Sequence, residues 1–232
     1  MWAGSRECPA VDLDATVART ADARGTLLCL QVSGLECHTD QVQGCEHAGM
    51  EPTPPSAGPE YVVPRQRLDR PIILADADPR WPHQFELLRD AIRRALGDAA
   101  LAVEHVGSTS VPGLLAKPIL DICLVVKDPR DEHAYVPMLA TTGYVLQIRE
   151  PDWYEHRMLW RDDPASHLHV FGADCPEVER MIRFRDHLRT HPESRDEYAR
   201  TKRELAARRW AYGQDYADAK SHIVESILAE AG

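Results

Sequence analysis

Long apolar runs and an excess of basic residues are both missing from this sequence of 232 residues. No stretch approaches the roughly 20 apolar residues that a membrane-spanning helix needs, and the N-terminus lacks the basic and apolar regions of an export signal. We therefore expect a cytoplasmic protein without a membrane partner, whose six cysteines are thiols. The formal net charge of −10 argues against a nucleic-acid partner, because phosphate contacts need surplus Lys and Arg. A small-molecule substrate is the partner class that we favour.

The first sixty residues differ in composition from the rest of the chain. They contain no lysine, and a proline-rich stretch at 52–59 closes them. Their apolar content is too low for an independent core, so we predict a poorly structured, mobile extension over 1–60 and a folded domain over 61–232. Two Cys-His groupings in the extension could supply four zinc ligands, namely Cys37, His38, Cys45 and His47. Their spacing matches no zinc module, so an unstructured extension is the favoured interpretation.

Helical and strand-like patterns alternate after residue 60, which predicts an α/β (α+β) fold. Asp78 is predicted to cap a helix with Pro79 in its first turn, and Gly97 is predicted to end it. A nearly all-apolar strand over 119–126 is expected to be buried on both faces. Further strands are predicted over 101–106, 144–149, 157–160 and 167–171, the last two as a hairpin, with a crossover helix over 131–141. Helices over 177–189, 193–210 and 215–230 complete a helical C-terminal portion.

The turn after the first of these strands has the features of an anion site. At Gly107 the missing side chain would let the backbone approach a phosphate, and the Ser108 hydroxyl adds a hydrogen bond. On the next strand Asp121 interrupts an apolar run, where a carboxylate is costly unless it binds a cation or is hydrogen-bonded. Asp121 therefore needs a partner.

Two neighbouring segments carry a specific resemblance. The run His-Val-Gly-Ser-Thr-Ser-Val-Pro-Gly at 105–113, followed by Lys-Pro-Ile-Leu-Asp at 117–121, resembles the signature of the GrpB-like family. Agreement extends through shorter segments at 78–82, 167–170, 184–189 and 216–220, so the resemblance covers about 71–231. It implies a nucleotidyltransferase-type fold, with a mixed sheet and flanking helices, and an enzyme that uses a nucleoside triphosphate as co-substrate. It also implies that the nucleotide is bound by the turn residues Gly107, Ser108 and Thr109.

The resemblance includes one departure. The nucleotidyltransferase pattern has two carboxylates one residue apart on a strand, where they hold Mg²⁺ against the triphosphate. Here the position two after Asp121 is Cys123, which we interpret as a buried small side chain and not as a nucleophile. One carboxylate alone binds magnesium weakly. A second source of metal ligands is therefore required.

His167 and His169 are the candidate additional metal ligands beside Asp121. Alternate residues of a strand face the same way, so both imidazoles could point toward Asp121 across the sheet. The expected cofactor is a divalent metal, Mg²⁺ or Mn²⁺, with Zn²⁺ or Fe²⁺ as the softer ions that imidazole favours. The alternative is that both histidines are solvent-facing or are hydrogen-bonded for structural reasons.

Other polar residues near the motif have candidate roles. His105 and Lys117 complete a candidate catalytic set with Asp121. His105 is the candidate acid/base, and the positive charge of Lys117 would hold a bound anion. A surface lysine is the equal alternative for Lys117. The helical tail supplies further candidates for nucleotide binding, namely Arg185, Lys202 and Lys220. Most basic residues of that tail are expected to form a solvated face paired with nearby Asp and Glu.

Three functions fit this pattern. The leading one is an enzyme that transfers a nucleotidyl group from a nucleoside triphosphate to a small-molecule acceptor, such as a carboxylate activated for amide formation. The second is a divergent transferase or ligase of secondary metabolism that uses an Asp/His site, which the missing second carboxylate favours. The third is a non-catalytic domain that binds a metabolite or assists the folding of a partner, as the GrpB-like domains of dephospho-CoA kinases suggest.

Overall fold

The structure is a computed structural model, and it describes residues 58–68 and 71–232. The predicted extension over 1–60 lies outside these ranges, apart from residues 58–60, and so do its candidate zinc ligands.

The described residues form one mixed sheet. Its strands are β1 (Glu60–Tyr61), β2 (Ala102–Val106), β3 (Leu120–Val126), β4 (Val145–Glu150), β5 (His156–Asp162) and β6 (Ala165–Gly172). Their order across the sheet is β1-β4-β5-β6-β3-β2. β3 and β6 pair in parallel, while the other described neighbours are antiparallel, including the predicted hairpin of β5 and β6. Every residue of β3 is buried, as expected for a strand covered on both faces.

Helices cover both faces of this sheet. They are α1 (Trp81–Leu96), α2 (Val136–Ala140), α3 (Pro176–Thr190), α4 (Pro192–Ala206), α5 (Gly213–Asp218) and α6 (Ser221–Glu230). Phe85 of α1 and Leu139 of α2 belong to the apolar core on one face. Met181 of α3 packs with Val106 and Phe171 on the other face, and α3, α4 and α6 share a further core. The predicted α/β class, with a mixed sheet, flanking helices and a helical C-terminal portion, is confirmed.

The start of α1 differs from the prediction. The helix begins at Trp81, and its N-cap residue is Arg80 instead of Asp78. The Asp78 carboxylate accepts hydrogen bonds from the Arg80 backbone N–H at 2.8 Å and from the Arg80 guanidinium. Pro82 lies in the first turn, where a proline is tolerated because the amide hydrogen has no partner inside the helix. Gly97 ends the helix at φ 54°, as predicted.

Three other predicted helices are shorter or divided. The crossover segment is a 3-10 turn (Glu132–Ala134) followed by α2, because Pro137 has no amide hydrogen with which to continue a helix from the preceding turn. The helix predicted over 193–210 ends at Ala206. The helix predicted over 215–230 is divided into α5 and α6, with Lys220 at the N-cap of α6. Among the described helices, none has both the length and the apolar character that crossing a membrane requires.

Side-chain alternation along β3 determines where polar chemistry can occur. Leu120 and Ile122 point into the apolar core under α1, so Asp121 and Cys123 point to the opposite face. Cys123 packs there beside Met181 of α3. The carboxylate of Asp121 therefore lies between the sheet and the C-terminal helices.

Candidate metal and anion site

Asp121, His167 and His169 lie together on the face of the sheet that α3 covers. Asp121 is directly opposite His167 in the parallel β3–β6 pair, and His169 is two residues further along the same face. His167 Nδ1 is 3.2 Å from Asp121 Oδ1, and His169 Nε2 is 3.7 Å from the same oxygen. One potential ligand atom from each residue lies within 4.8 Å of the other two. Both histidines are 1% exposed, so the solvent-facing alternative does not hold.

These three residues fit a divalent ion. Two ligands about 2.1 Å from one metal at a tetrahedral angle are about 3.4 Å apart, and the two distances to Asp121 Oδ1 bracket that value. A carboxylate with two imidazoles is a donor set for Mn²⁺, Fe²⁺ or Zn²⁺ more than for Mg²⁺. The Nε2 atom of His169, which faces Asp121, is buried and has no hydrogen-bond partner among the described residues. An unsatisfied buried nitrogen needs an explanation, and a bound cation would provide one.

His169 is connected to a second carboxylate that the sequence interpretation missed. Its Nδ1 is 3.1 Å from His156 Nε2, and His156 Nδ1 is 2.8 Å from Glu150 Oε2. Glu150 lies one residue past the predicted strand 144–149, and His156 lies one residue before the predicted strand 157–160. Neither residue was therefore assigned to a strand face. A polar residue at the end of an apolar strand was the only available signal.

A small cavity adjoins the site. Its wall includes Asp121 and His169 from the sheet and Glu177 and Arg180 from α3. The cavity has about 20 Å³ of free volume, which is room for one water-sized group. Burial raises the pKa of Glu177 to about 7, an effect that the nearby Arg180 guanidinium partly opposes. The sequence interpretation missed both of these residues, because which helical side chains face the sheet depends on how α3 docks.

Gly107 is required by Asp121 itself. Gly107 has φ 65° and ψ −172°, a conformation that is essentially confined to glycine. A Cβ atom at this position would lie 2.8 Å from Asp121 Cβ and 2.9 Å from Asp121 Cγ. We expected the missing side chain to make room for a phosphate, but in the structure the carboxylate of Asp121 occupies that space.

One buried lysine contacts the segment that follows Gly107, a second belongs to that segment, and a third lies with the second at the Tyr216 ring. The chain has four lysines, and the three that were predicted to be functional are buried: Lys117 at 4% exposure, Lys202 at 2% and Lys220 at 2%. The surface alternative for Lys117 is therefore wrong. Lys202 Nζ donates a hydrogen bond of 3.0 Å to Ser108 Oγ and another to the Leu115 carbonyl. Lys117 Nζ and Lys220 Nζ lie 4.9 Å and 4.7 Å from the centre of the Tyr216 ring.

Comparison with known proteins identifies the family of this domain. The family model described as GrpB protein matches residues 71–230. The chain belongs to the GrpB family. It is 56% identical over 160 residues to UPF0157 protein BH1888 of Halalkalibacterium halodurans, covering 69% of this chain and 82% of that protein. It resembles the crystal structure of conserved protein GrpB from Enterococcus faecalis with a TM-score of 0.57 and 28% identity, covering 68% of this chain and 96% of that one.

Some relatives of this GrpB chain are longer proteins with another name. A protein of Mycobacterium bovis named dephospho-CoA kinase is 33% identical over 168 residues, which is 60% of this chain and 40% of that protein. The similarity therefore concerns less than half of the kinase.

His105, a predicted catalytic residue of this GrpB protein, lies on the face of the sheet opposite Asp121. His105 pairs with Ile122 in the β2–β3 ladder, so its side chain points to the α1 face, where it stacks on Phe85 with ring centres 4.6 Å apart. His105 Nε2 is 3.0 Å from the hydroxyl of Thr109, which is thereby tied to His105. Burial lowers the pKa of His105 to about 4. An acid/base role for this imidazole near pH 7 therefore has no support from its position.

Arg185 connects α3 to β2. Its guanidinium donates to Glu104 Oε2 at 2.9 Å, to the His105 carbonyl at 3.0 Å and to Asp186. Arg185 and His105 share a groove at the edge of β2, and this groove does not include Asp121. These hydrogen bonds of Arg185 hold the strand that precedes the anion turn, and a direct nucleotide contact stays a prediction.

Cys123 lies two residues after Asp121, where the resemblance to nucleotidyltransferases predicts a second carboxylate. It pairs with Glu104 of β2 on one side and His169 of β6 on the other. Its side chain is fully buried, and burial raises the pKa of the thiol to about 12. The thiol is therefore protonated at neutral pH, as expected for a packing residue and not for a nucleophile or a metal ligand.

Proposed function

We propose that this GrpB protein is an enzyme that binds a nucleoside triphosphate with a divalent metal and transfers a nucleotidyl group to a small-molecule acceptor. The observation that carries the proposal is the convergence of Asp121, His167 and His169 beside the Gly107–Ser108 turn. A cation-binding donor set and a turn contacted by a buried ammonium group are the two parts that a metal–polyphosphate complex needs.

The lysines are suited to the phosphate part of such a ligand. Lys117, Lys202 and Lys220 are all buried. Lys202 contacts the turn, and Lys117 and Lys220 both lie against the Tyr216 ring. Lysine binds phosphate as a point charge and does not require a planar, two-pronged geometry. Lys202 already contacts Ser108 Oγ, so the serine hydroxyl and the ammonium group can approach the same phosphate oxygen.

The residues on the metal side have separate roles in this proposal. Asp121, His167 and His169 would hold a divalent ion, which when bound reduces the charge on the transferring phosphoryl group. Gly107 keeps space for the carboxylate of Asp121. Glu177, whose pKa of about 7 is set by burial, lines the adjoining cavity and can accept a proton from an acceptor hydroxyl near neutral pH.

A second candidate function is a divergent transferase or ligase that does not release a nucleotidylated product. Cys123 favours it, because the second carboxylate is replaced by a protonated thiol, while His167 and His169 supply nitrogen ligands. A third, metabolite binding or folding assistance without catalysis, is motivated by the dephospho-CoA kinase relatives. The cytoplasmic location, the small-molecule acceptor and the absence of nucleic-acid or membrane partners stay predictions.

Calorimetric titration with Mg²⁺, Mn²⁺ and Zn²⁺, with and without a nucleoside triphosphate, tests the proposal. Saturable binding is expected, and Asp121→Asn and His169→Ala should each abolish it while the fold is retained. His187→Ala is the matched control, because His187 is also buried but bonds to Ser194 at 3.1 Å away from the site.

Pyrophosphate release from the nucleotide in the presence of candidate acceptors then separates nucleotidyl transfer from the other functions. If the parent protein binds none of the three ions, with or without nucleotide, the metal-assisted transferase is excluded. A pseudo-enzyme or metal-independent chemistry would then be left.

A further inference from the structure

Four buried side chains form a continuous polar chain from β4 to the candidate metal site. Glu150 Oε2 is 2.8 Å from His156 Nδ1, His156 Nε2 is 3.1 Å from His169 Nδ1, and His169 Nε2 is 3.7 Å from Asp121 Oδ1. Glu150 is 6% exposed, His156 2%, His169 1% and Asp121 3%. Bulk water therefore does not compete with these contacts.

The fold holds the middle of this chain in one orientation. Glu150 and His156 are partners in the antiparallel β4–β5 ladder, so their side chains emerge side by side on one face. The His156 ring stacks on Phe171 with ring centres 4.7 Å apart, and the Trp153 ring meets it edge-on at 5.0 Å. Because two aromatic side chains pack against it, His156 cannot turn away from Glu150 and His169 without losing these contacts.

With Glu150 ionised and both imidazoles neutral, one arrangement of protons satisfies every N–H in the chain. An ionised carboxylate can only accept, so His156 Nδ1 carries the hydrogen that faces Glu150. In a neutral imidazole the other nitrogen is then an acceptor, so His156 Nε2 receives the hydrogen of His169 Nδ1. His169 Nε2 is left with a lone pair directed toward Asp121.

The reverse arrangement is less favourable. It would place a hydrogen on His169 Nε2, which has no hydrogen-bond partner among the described residues and is 3.7 Å from the nearest oxygen of Asp121. A distance of 3.7 Å is too long for a hydrogen bond, and a buried N–H without a partner costs free energy. A lone pair facing a carboxylate oxygen at this distance is instead the arrangement that a cation between them would stabilise.

We propose that Glu150 and His156 are positioning residues that hold His169 in the Nδ1–H tautomer, so that its Nε2 lone pair is available to a divalent ion beside Asp121. This inference rests on the metal site of the proposed function. A carboxylate behind a metal-binding imidazole fixes its tautomer and increases its basicity, and loss of such a partner typically weakens metal binding about 10–100-fold.

Long-range ¹H–¹⁵N NMR of the histidine rings in the metal-free protein tests the tautomer directly. We expect the His169 resonances, assigned by comparison with His169→Ala, to show Nδ1–H and an unprotonated Nε2. Glu150→Leu removes the acceptor and should convert His169 to the Nε2–H tautomer. An Nε2–H tautomer in the parent protein, or an unchanged tautomer in folded Glu150→Leu, would overturn the proposal.

Metal affinity provides an independent measurement. Titration with Mn²⁺ and Zn²⁺ should give a dissociation constant about 10–100-fold larger for Glu150→Leu and for His156→Phe, which keeps an aromatic ring against Phe171. Glu132→Leu is the matched control. Glu132 accepts a hydrogen bond from Arg157, the residue after His156. The Arg157 side chain lies on the face of the sheet opposite His156, so Glu132→Leu should leave metal affinity unaltered.

The two experiments separate the two proposals. Metal binding that is equally tight in the parent, Glu150→Leu and His156→Phe would overturn the positioning role while leaving the metal site intact. A parent protein that binds no divalent ion would contradict the proposed function and, with it, the metal part of this inference. The tautomer of His169 would still decide whether Glu150 and His156 orient it.

Discussion

Gly107 and Asp121 are in direct steric contact across the β2–β3 junction. A Cβ atom at position 107 would lie 2.8 Å from Asp121 Cβ, and it would be closer still to Asp121 Oδ2. The glycine that looks like a phosphate-binding residue in the sequence therefore also determines where the candidate metal-binding carboxylate can lie.

Gly107→Ala should accordingly displace the Asp121 carboxylate and weaken divalent-ion binding at least tenfold. Gly113→Ala is the control, because Gly113 also has a positive φ of 78° but a methyl group there would meet no other atom within 4 Å. Both changes should lower the melting temperature, since a side chain in such a sparsely populated conformation costs about 1–3 kcal/mol. Calorimetric titration with Mn²⁺ distinguishes them, and equal metal affinity in the two folded variants would show that Asp121 does not depend on Gly107.

Lys202 is the lysine that most directly contacts the anion turn. Lys202→Met keeps most of the side-chain length but removes the ammonium group that contacts Ser108 Oγ. Hydrogen bonds to charged groups contribute about 1.5–3 kcal/mol, so affinity for a nucleoside triphosphate should fall about 10–100-fold. Lys127→Met is the control at the one exposed lysine. Unchanged nucleotide affinity in Lys202→Met would indicate that Lys202 only ties α4 to the Leu115 carbonyl.

Glu177 should make stability depend on pH in a defined window. Burial raises its pKa from 4.5 to about 7 in the folded state, so the folded protein binds a proton more tightly than the unfolded chain. The associated stabilisation is fully present below pH 4.5 and is lost as the pH rises to 7. Its size is on the order of 3 kcal/mol, because one pKa unit corresponds to about 1.36 kcal/mol.

Glu177→Gln removes this titration, which gives the test. The melting temperature of the variant minus that of the parent should become more positive between about pH 5 and pH 8, as measured by calorimetry in matched buffers. A difference that stays constant with pH would mean that Glu177 titrates normally, and its proposed role as a proton acceptor near neutral pH would lose its basis.

The sequence was sufficient for those parts of the site that depend on local spacing. The Gly107–Ser108 turn follows from a strand that ends in small residues, and strand alternation placed His167 and His169 on one face. Their approach to Asp121 depends on the parallel pairing of β3 and β6, which brings together His167 and Asp121 although they are 46 residues apart in sequence. Composition does not specify this pairing. The sequence supplied that link only as a hypothesis, because Asp121 needs additional ligands and two alternating histidines could provide them.

Other features required the register of the sheet. His105 was expected near a bound anion because it precedes the turn and Lys117 follows it, yet Val106 and not His105 is the partner of Asp121 in the ladder. Side chains of successive residues point to opposite faces, so His105 stacks on α1 instead. Glu150 and His156 were not placed beside His169, because they lie at strand ends, where a shift of one residue changes the face that a side chain occupies.

The segment 58–68 lies before the residues that match the family, and it contacts the domain at both of its ends. At one end the Val62 amide donates to the Gln147 carbonyl at 2.8 Å beside the β1–β4 pair. At the other end the Arg65 guanidinium lies 3.8 Å from the centre of the Tyr212 ring, and the Leu68 amide donates to the Ala211 carbonyl at 3.0 Å. This segment therefore covers the free edge of β4 and the loop between α4 and α5.

Two truncations separate the contribution of this segment from that of the residues before it. Removal of 1–57 should leave a cooperative melt within about 2 °C of the full chain, because those residues have too little apolar content to add a core. Removal of 1–70 should lower the melting temperature by about 5–10 °C, since backbone hydrogen bonds and a cation–π contact are lost and the edge of β4 becomes unpaired. Differential scanning calorimetry on the three chains measures both effects. If removal of 1–57 alone caused the larger loss, the N-terminal residues would belong to the folded domain, and the predicted boundary near residue 60 would be wrong.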